Sequence, residues 1–160
     1  MKIKYLKKLK NNKTINWDTI KGVSESEIKK AENRFEIKFP LAFKEYLYLA
    51  GDSSGGLRLA DGNGSLAVLI KDDVRKKLEK SLQEFQIPIK RPFWVFSEKD
   101  GFQQFFFIYL DENSENPPVW FTTYGDEEDG PNVIIKLSDT FSQFIDDLID
   151  RSILFAQRGY

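Results

Sequence analysis

The spacing of apolar residues divides the chain into a helical first half and a strand-rich second half. After Ser24-Glu25-Ser26-Glu27, the apolar residues Ile28, Ala31 and Phe35 recur at helical spacing, so a helix starts there. Ser24 is placed to accept from the Glu27 amide while Glu27 reaches back to Ser24, a capping box. Val23 and Ile28 stand where a hydrophobic staple needs them. Glu32 and Arg34 fall nearer solvent. Pro40 opens a second helix in its first turn, where a missing amide donor costs nothing. Phe43, Tyr46, Leu47 and Ala50 form its apolar stripe, and Gly51 reads as the residue that ends it.

A loop, Asp52-Ser53-Ser54-Gly55-Gly56, comes next. Leu57 and Leu59 then alternate with Arg58 and Ala60, which predicts a strand. Asp61-Gly62-Asn63-Gly64 carries two hairpin-turn signals, and Leu66 to Ile70 reads as the return strand. From Asp72 to Phe85 the stripe of Val74, Leu78, Leu82 and Phe85 predicts a helix that is charged elsewhere. Pro88 and Pro92 bracket an extended connection.

Strands dominate the second half: Phe93 to Phe96, a turn at Glu98-Lys99-Asp100-Gly101, then Phe102 to Leu110, Val119 to Tyr124 and Val133 to Leu137. In the longest of these, Phe105, Phe107 and Tyr109 share one face, and Phe106, Ile108 and Leu110 share the other. Apolar residues on both faces predict a central strand covered on both sides. A last helix starts near Ser138 or Asp139, with Phe141, Phe144, Ile145, Leu148, Ile149 and Ser152 on its inner stripe. Neither an internal repeat nor a Ser/Gly linker divides the chain. The expected fold class is α+β, one domain over residues 1–160, with a central, mostly antiparallel sheet flanked by helices. A length of 160 residues suits a single domain.

Charge adds a second layer. The net charge of −1 conceals a split: residues 1–13 carry six lysines and no acid, and the remainder carries a net −7. Ile3, Leu6 and Leu9 run through this basic segment at intervals of three, which suits a short helix docked on the body. The segment lacks the apolar stretch of a secretory signal, and nothing approaches the roughly 18 apolar residues of a membrane span. The expectation is a cytoplasmic protein without a membrane span. Residues 111–129 carry seven acids and no base: Asp111, Glu112, Glu115, Asp126, Glu127, Glu128 and Asp129.

The chain has no histidine and no cysteine. That excludes disulfides, thiolate nucleophiles, Cys/His zinc sites and Ser-His-Asp triads. Phosphate-binding glycine motifs are absent, and Asp126 to Asp129 are consecutive rather than spaced as calcium ligands. No acid pair stands out as glycosidase-like. The bases lie in the first segment and the aromatics in predicted core, so stable nucleic-acid binding is not expected. No catalytic residue, metal or cofactor is therefore assigned. Trp17 reads as an anchor for the N-terminal segment, and Trp94 as core. Trp120 and Tyr124 share one strand face beside the acids, the pattern of an aromatic contact with an acidic rim.

The stretch from Trp17 to Glu32, with its capped helix, resembles the opening of the SMI1/KNR4 (SUKH) superfamily. So does its continuation, Phe35-Glu36-Ile37-Lys38-Phe39-Pro40-Leu41-Ala42-Phe43-Lys44-Glu45-Tyr46-Leu47. Gly55-Gly56, the aromatic strand ending in Asp111 and the closing Thr140-Phe141-Ser142-Gln143-Phe144-Ile145 extend the likeness over nearly the whole chain. Phe39 and Thr140 depart from the usual Leu and Ser. The resemblance implies an α+β domain that binds proteins and has no assigned catalytic residues. For a bacterial member it implies an immunity protein that neutralises a cognate toxin, often a nuclease. On that reading the partner interface comprises Trp120, Tyr124, Asp126, Glu127, Glu128 and Asp129, with Asp111, Glu112 and Glu115 as a second patch. A regulatory or scaffolding module in envelope or signalling work is the alternative, and a carboxylate-based hydrolase a more distant one.

Overall fold

A computed structural model describes residues 1–11, 19–57, 59, 64–124 and 132–158. The helices are α1 (Lys7–Asn11), α2 (Glu25–Phe35), α3 (Leu41–Ala50), α4 (Leu66–Leu69), α5 (Asp72–Glu84) and α6 (Phe141–Gln157). Two short strands, β1 (Ile20–Lys21) and β2 (Ser53–Ser54), pair with each other ahead of a 3-10 turn at Gly55–Leu57. The main sheet is an antiparallel meander in the order β3 (Phe93–Lys99), β4 (Gln104–Tyr109), β5 (Val119–Thr123), β6 (Val133–Ser138). The α+β architecture, an antiparallel sheet flanked by helices, is the one the hydrophobic pattern predicts.

β4 lies inside the sheet and splits its side chains between two cores. Ile108 joins a large cluster with Leu6, Leu9, Ile28, Phe43, Tyr46, Phe141 and Ile145, and Phe106 packs against it. Phe105, Phe107 and Tyr109 join a smaller cluster with Leu69, Leu78 and Ile87. So α1, α2, α3 and α6 cover one face, and α5 covers the other. A bulge in β3 between Val95 and Ser97 leaves Phe96 without a ladder partner and sets Ser97 opposite Phe106. Phe96 then fills the larger core, while the buried Ser97 hydroxyl donates to the Leu59 carbonyl at 2.5 Å. That bond meets the demand that a buried hydroxyl have a partner.

The capping box forms as predicted. Ser24 Oγ accepts from the Glu27 amide at 3.2 Å, and Glu27 accepts from the Ser24 amide at 2.8 Å. The Ser24 hydroxyl and amide hold the Glu27 carboxyl below its ordinary value. Thr140 caps α6 with one such bond, its hydroxyl accepting from the Gln143 amide at 3.2 Å.

Several local expectations are corrected. The predicted strand from Leu66 to Ile70 is instead the helical turn α4. Leu66 and Leu69 are both buried while Ala67 is exposed, and the Leu69 and Ile70 amides donate to the carbonyls of Ser65 and Leu66, four residues back, as in a helix. Leu57 lies in the 3-10 turn rather than a strand, and Asp61, Gly62 and Asn63 of the predicted hairpin lie outside the described residues. Pro40 is the N-cap of α3, one position earlier than predicted. Gly51 ends that helix with an ordinary right-handed φ of −76°.

Glu32, placed near solvent by the sequence pattern, is buried. Its carboxylate accepts from the Phe39 amide at 2.8 Å and lies 3.8 Å from the Lys44 ammonium. The tight α2–α3 connection leaves that amide without a backbone partner, and the acid supplies one. Glu45 is a second buried acid that periodicity gives no sign of. It accepts from three consecutive backbone amides, Lys4 at 2.6 Å, Tyr5 at 2.9 Å and Leu6 at 2.9 Å. The N-terminal segment is thereby bound to α3, with Leu6 and Leu9 fully buried.

No described helix is long and apolar enough to cross a membrane. Among the described residues no cluster of three or more acids is placed to hold a metal ion.

Candidate protein-interaction surface

The β3–β4 ladder builds this surface by extending past its own ends. Phe93 pairs with Tyr109, and the Leu110 amide donates to the Pro92 carbonyl at 2.9 Å. Two residues further out on each strand, Arg91 meets Asp111. The Arg91 guanidinium donates from Nε to both Asp111 oxygens at 3.1 Å and from a terminal nitrogen to Asp111 at 2.7 Å. The same nitrogen reaches Glu112 at 2.9 Å. This fork holds the Asp111 carboxyl below its ordinary value and the guanidinium above its own. A carboxylate so held is a charged acceptor, suited to ion pairing and not to donating a proton.

Arg91 also lies 4.0 Å over the Tyr109 ring. The Trp120 ring meets Tyr109 edge-on, at 5.6 Å between centroids. Trp120 arrives there because β5 sets it opposite Phe107, on the α5 face of the sheet. Burial pushes the Tyr109 hydroxyl up. Trp120, Tyr109, Arg91, Asp111 and Glu112 therefore form one connected run of side chains.

The other predicted residues go elsewhere. Tyr124 is half exposed and lies just past the far end of β5, about 13 Å from Trp120 by strand rise. Its hydroxyl donates to Gln103 at 2.7 Å. Glu115 accepts from the Lys4 ammonium at 2.6 Å and the Tyr5 hydroxyl at 2.9 Å, which hold its carboxyl low. Its carbonyl accepts from the Ala42 amide at the start of α3. Glu115 thus ties the N-terminal segment and α3 to the β4–β5 connection. Glu112 and Glu115 both line a groove of about 360 Å³, as do Lys38 and Lys44. Asp126, Glu127, Glu128 and Asp129 lie outside the described residues, as does Trp17.

Sequence reading missed two members of the run. Tyr109 reads only as one face of an apolar strand, and Arg91 only as part of a proline-bracketed connection. Counting back from the β3–β4 turn would have misaligned Arg91 and Asp111, because the bulge shifts the register by one residue.

A model described as the SMI1 / KNR4 family (SUKH-1) matches residues 22–147. The match runs from just before α2 to within α6, and takes in Arg91, Tyr109, Asp111, Glu112 and Trp120. A search of curated proteins found no match to the chain.

Proposed function

Because the chain belongs to the SMI1 / KNR4 family (SUKH-1), we propose that it is a non-catalytic immunity protein. It binds and neutralises a cognate polymorphic or contact-dependent toxin in the cytoplasm of the cell that makes it. The observation that carries this reading is the connected run of Trp120, Tyr109 and Arg91, edged by Asp111 and Glu112. Tyr109 is itself buried in the smaller core, so Trp120 and Arg91 are the members open to a partner, and Trp and Arg are among the residue types that dominate binding energy in protein interfaces. Held in place against the Tyr109 ring, they lose little side-chain freedom on binding.

The charge of the body selects the partner. Outside the lysine-rich segment the chain carries a net −7, and four of the acids in that count, Asp126 to Asp129, are consecutive in the sequence. A nuclease grips phosphate with a basic surface, so an acidic partner is steered to it and occludes it. The aromatic residues supply burial, and the acids supply approach rate and selectivity.

Co-expression tests the proposal. Cells making the toxin encoded next to this gene are expected to survive when this chain is made with it. Death at the same rate with and without the chain contradicts the proposal.

A further inference from the structure

A groove of about 230 Å³ lies between α2 and α4, lined by the apolar Val23, Ala31, Leu66, Ala67 and Ile70. It is smaller than the roughly 300–1,000 Å³ of small-molecule sites and suits one large apolar side chain. Three charged residues, Glu27, Lys30 and Arg34, complete its lining. The acids here are already engaged. Glu27 accepts from the Ser24 amide and hydroxyl, and Asp72 pairs with Arg34 at 2.7 Å. Lys30 is exposed and forms no ion pair among the described residues.

Arg34 links this groove to a second cation. Its guanidinium lies 5.2 Å from the Phe35 ring centroid. The Arg75 guanidinium lies 5.4 Å from the same centroid and 4.9 Å from that of Trp94. Arg75 is half-buried, yet among the described residues it makes no hydrogen bond and no ion pair. Glu79, one turn further along α5, attracts it without reaching ion-pair distance, and burial pulls the guanidinium below its ordinary value. A guanidinium offers five donors and stays charged. One held partly out of water with no acceptor is a ready place for an incoming carboxylate.

We propose that this patch docks an acidic segment of a second protein. One large apolar side chain of that segment fills the groove, and carboxylates beside it pair with Arg75 and Lys30. The Phe35 and Trp94 rings hold Arg75 in place, so it loses little freedom when the carboxylate arrives. The groove supplies burial and the cations supply selection. The net −7 of the body opposes an acidic partner at a distance, so these local contacts carry the docking and it is weak. No residue of the patch belongs to the run around Trp120, so the two surfaces are tested apart.

The test is a titration of the full chain, followed through its amide nuclear magnetic resonances. The probe is a capped pentapeptide of one tryptophan flanked by four glutamates. The amides of Ala31, Ala67 and Ile70 are expected to shift. The same peptide with alanine for tryptophan, and the one with lysines for glutamates, are each expected to bind at least about tenfold more weakly. Arg75→Met keeps a long stem over Phe35 and Trp94, removes the charge, and is expected to lower the affinity at least about tenfold. Ala67→Glu places an acid in the groove at an exposed position and is expected to do the same, which secures the test should Arg75→Met fail to fold. Lys80→Met removes the same charge from an exposed position of α5 and is expected to change the affinity less than about twofold. Amides that stay unshifted up to about 5 mM acidic peptide overturn the proposal. So does equal binding of the acidic and basic peptides, or a folded Arg75→Met that binds like wild type. The same shifts in the free chain as its concentration rises would assign the groove to a second copy and overturn it too.

Discussion

Phe96→Ala is expected to destabilise the protein by about 3–5 kcal/mol, the range for truncating a large buried aromatic. That is a large fraction of the roughly 5–15 kcal/mol that holds a typical domain together. Phe96 is 1% exposed and sits at the centre of the larger core. Its ring lies 6.0 Å from Phe43, 6.4 Å from Tyr46, 6.2 Å from Phe106, 5.3 Å from Phe141 and 5.9 Å from Phe144. Those five rings come from α3, β4 and α6, so the cavity opens where three elements meet. The β3 bulge fixes the ring from behind and limits collapse into the space. Urea unfolding measures the loss as a lower midpoint. Leu154→Ala, on the exposed side of α6, serves as the control and is expected to stay within about 0.5 kcal/mol.

Glu45→Ala is expected to cost about 2–4 kcal/mol and to release the first eleven residues from the body. The carboxylate is fully buried and takes three backbone amides at once. Hydrogen bonds to a charged group contribute about 1.5–3 kcal/mol each, and a buried amide left without a partner adds its own penalty. Amide hydrogen exchange at Leu6 reads the release directly, as lost protection. The lysines of the segment behave differently. Lys4 pairs with Glu115 and Lys8 with Asp150, but these pairs are solvent-exposed and contribute little. Lys4→Ala with Lys8→Ala is therefore expected to leave the segment docked. The contrast separates a basic segment attached by its charge from one attached by backbone bonds and by Leu6 and Leu9.

Side-chain periodicity made much of the fold legible. The alternation in Phe105 to Leu110 announces a strand covered on both faces, because each face must find its own core. Ser24 and Glu27 announce their helix because the capping bonds are local. Legibility failed where long-range contacts decide. Leu66 to Ile70 is apolar enough for a strand, yet Leu66 and Leu69 dock as a helical turn whose first amide donates to Gly51. Glu32 reads as a solvent-facing charge, and periodicity leaves Glu45 unmarked, because nothing local reveals the amides they serve. Phe39 is seven residues from Glu32, and Lys4 is forty-one from Glu45.

The candidate surface was half legible for the same reason. Trp120, Asp111 and Glu112 can be picked out by type and position. Arg91 and Tyr109, which join them, depend on a strand register that a bulge alters. Glu115, grouped with its acidic neighbours by sequence, serves the N-terminal segment instead.

The proposal that this chain neutralises a toxin through the surface around Trp120 is tested most directly by calorimetric titration of that toxin. Wild type and Trp120→Ala are compared, each first shown to be folded by its urea transition. The expected result is affinity at least about 30-fold weaker for the variant, the loss of about 2 kcal/mol that marks an interface hot spot. A folded Trp120→Ala that binds the toxin as tightly as wild type would contradict it.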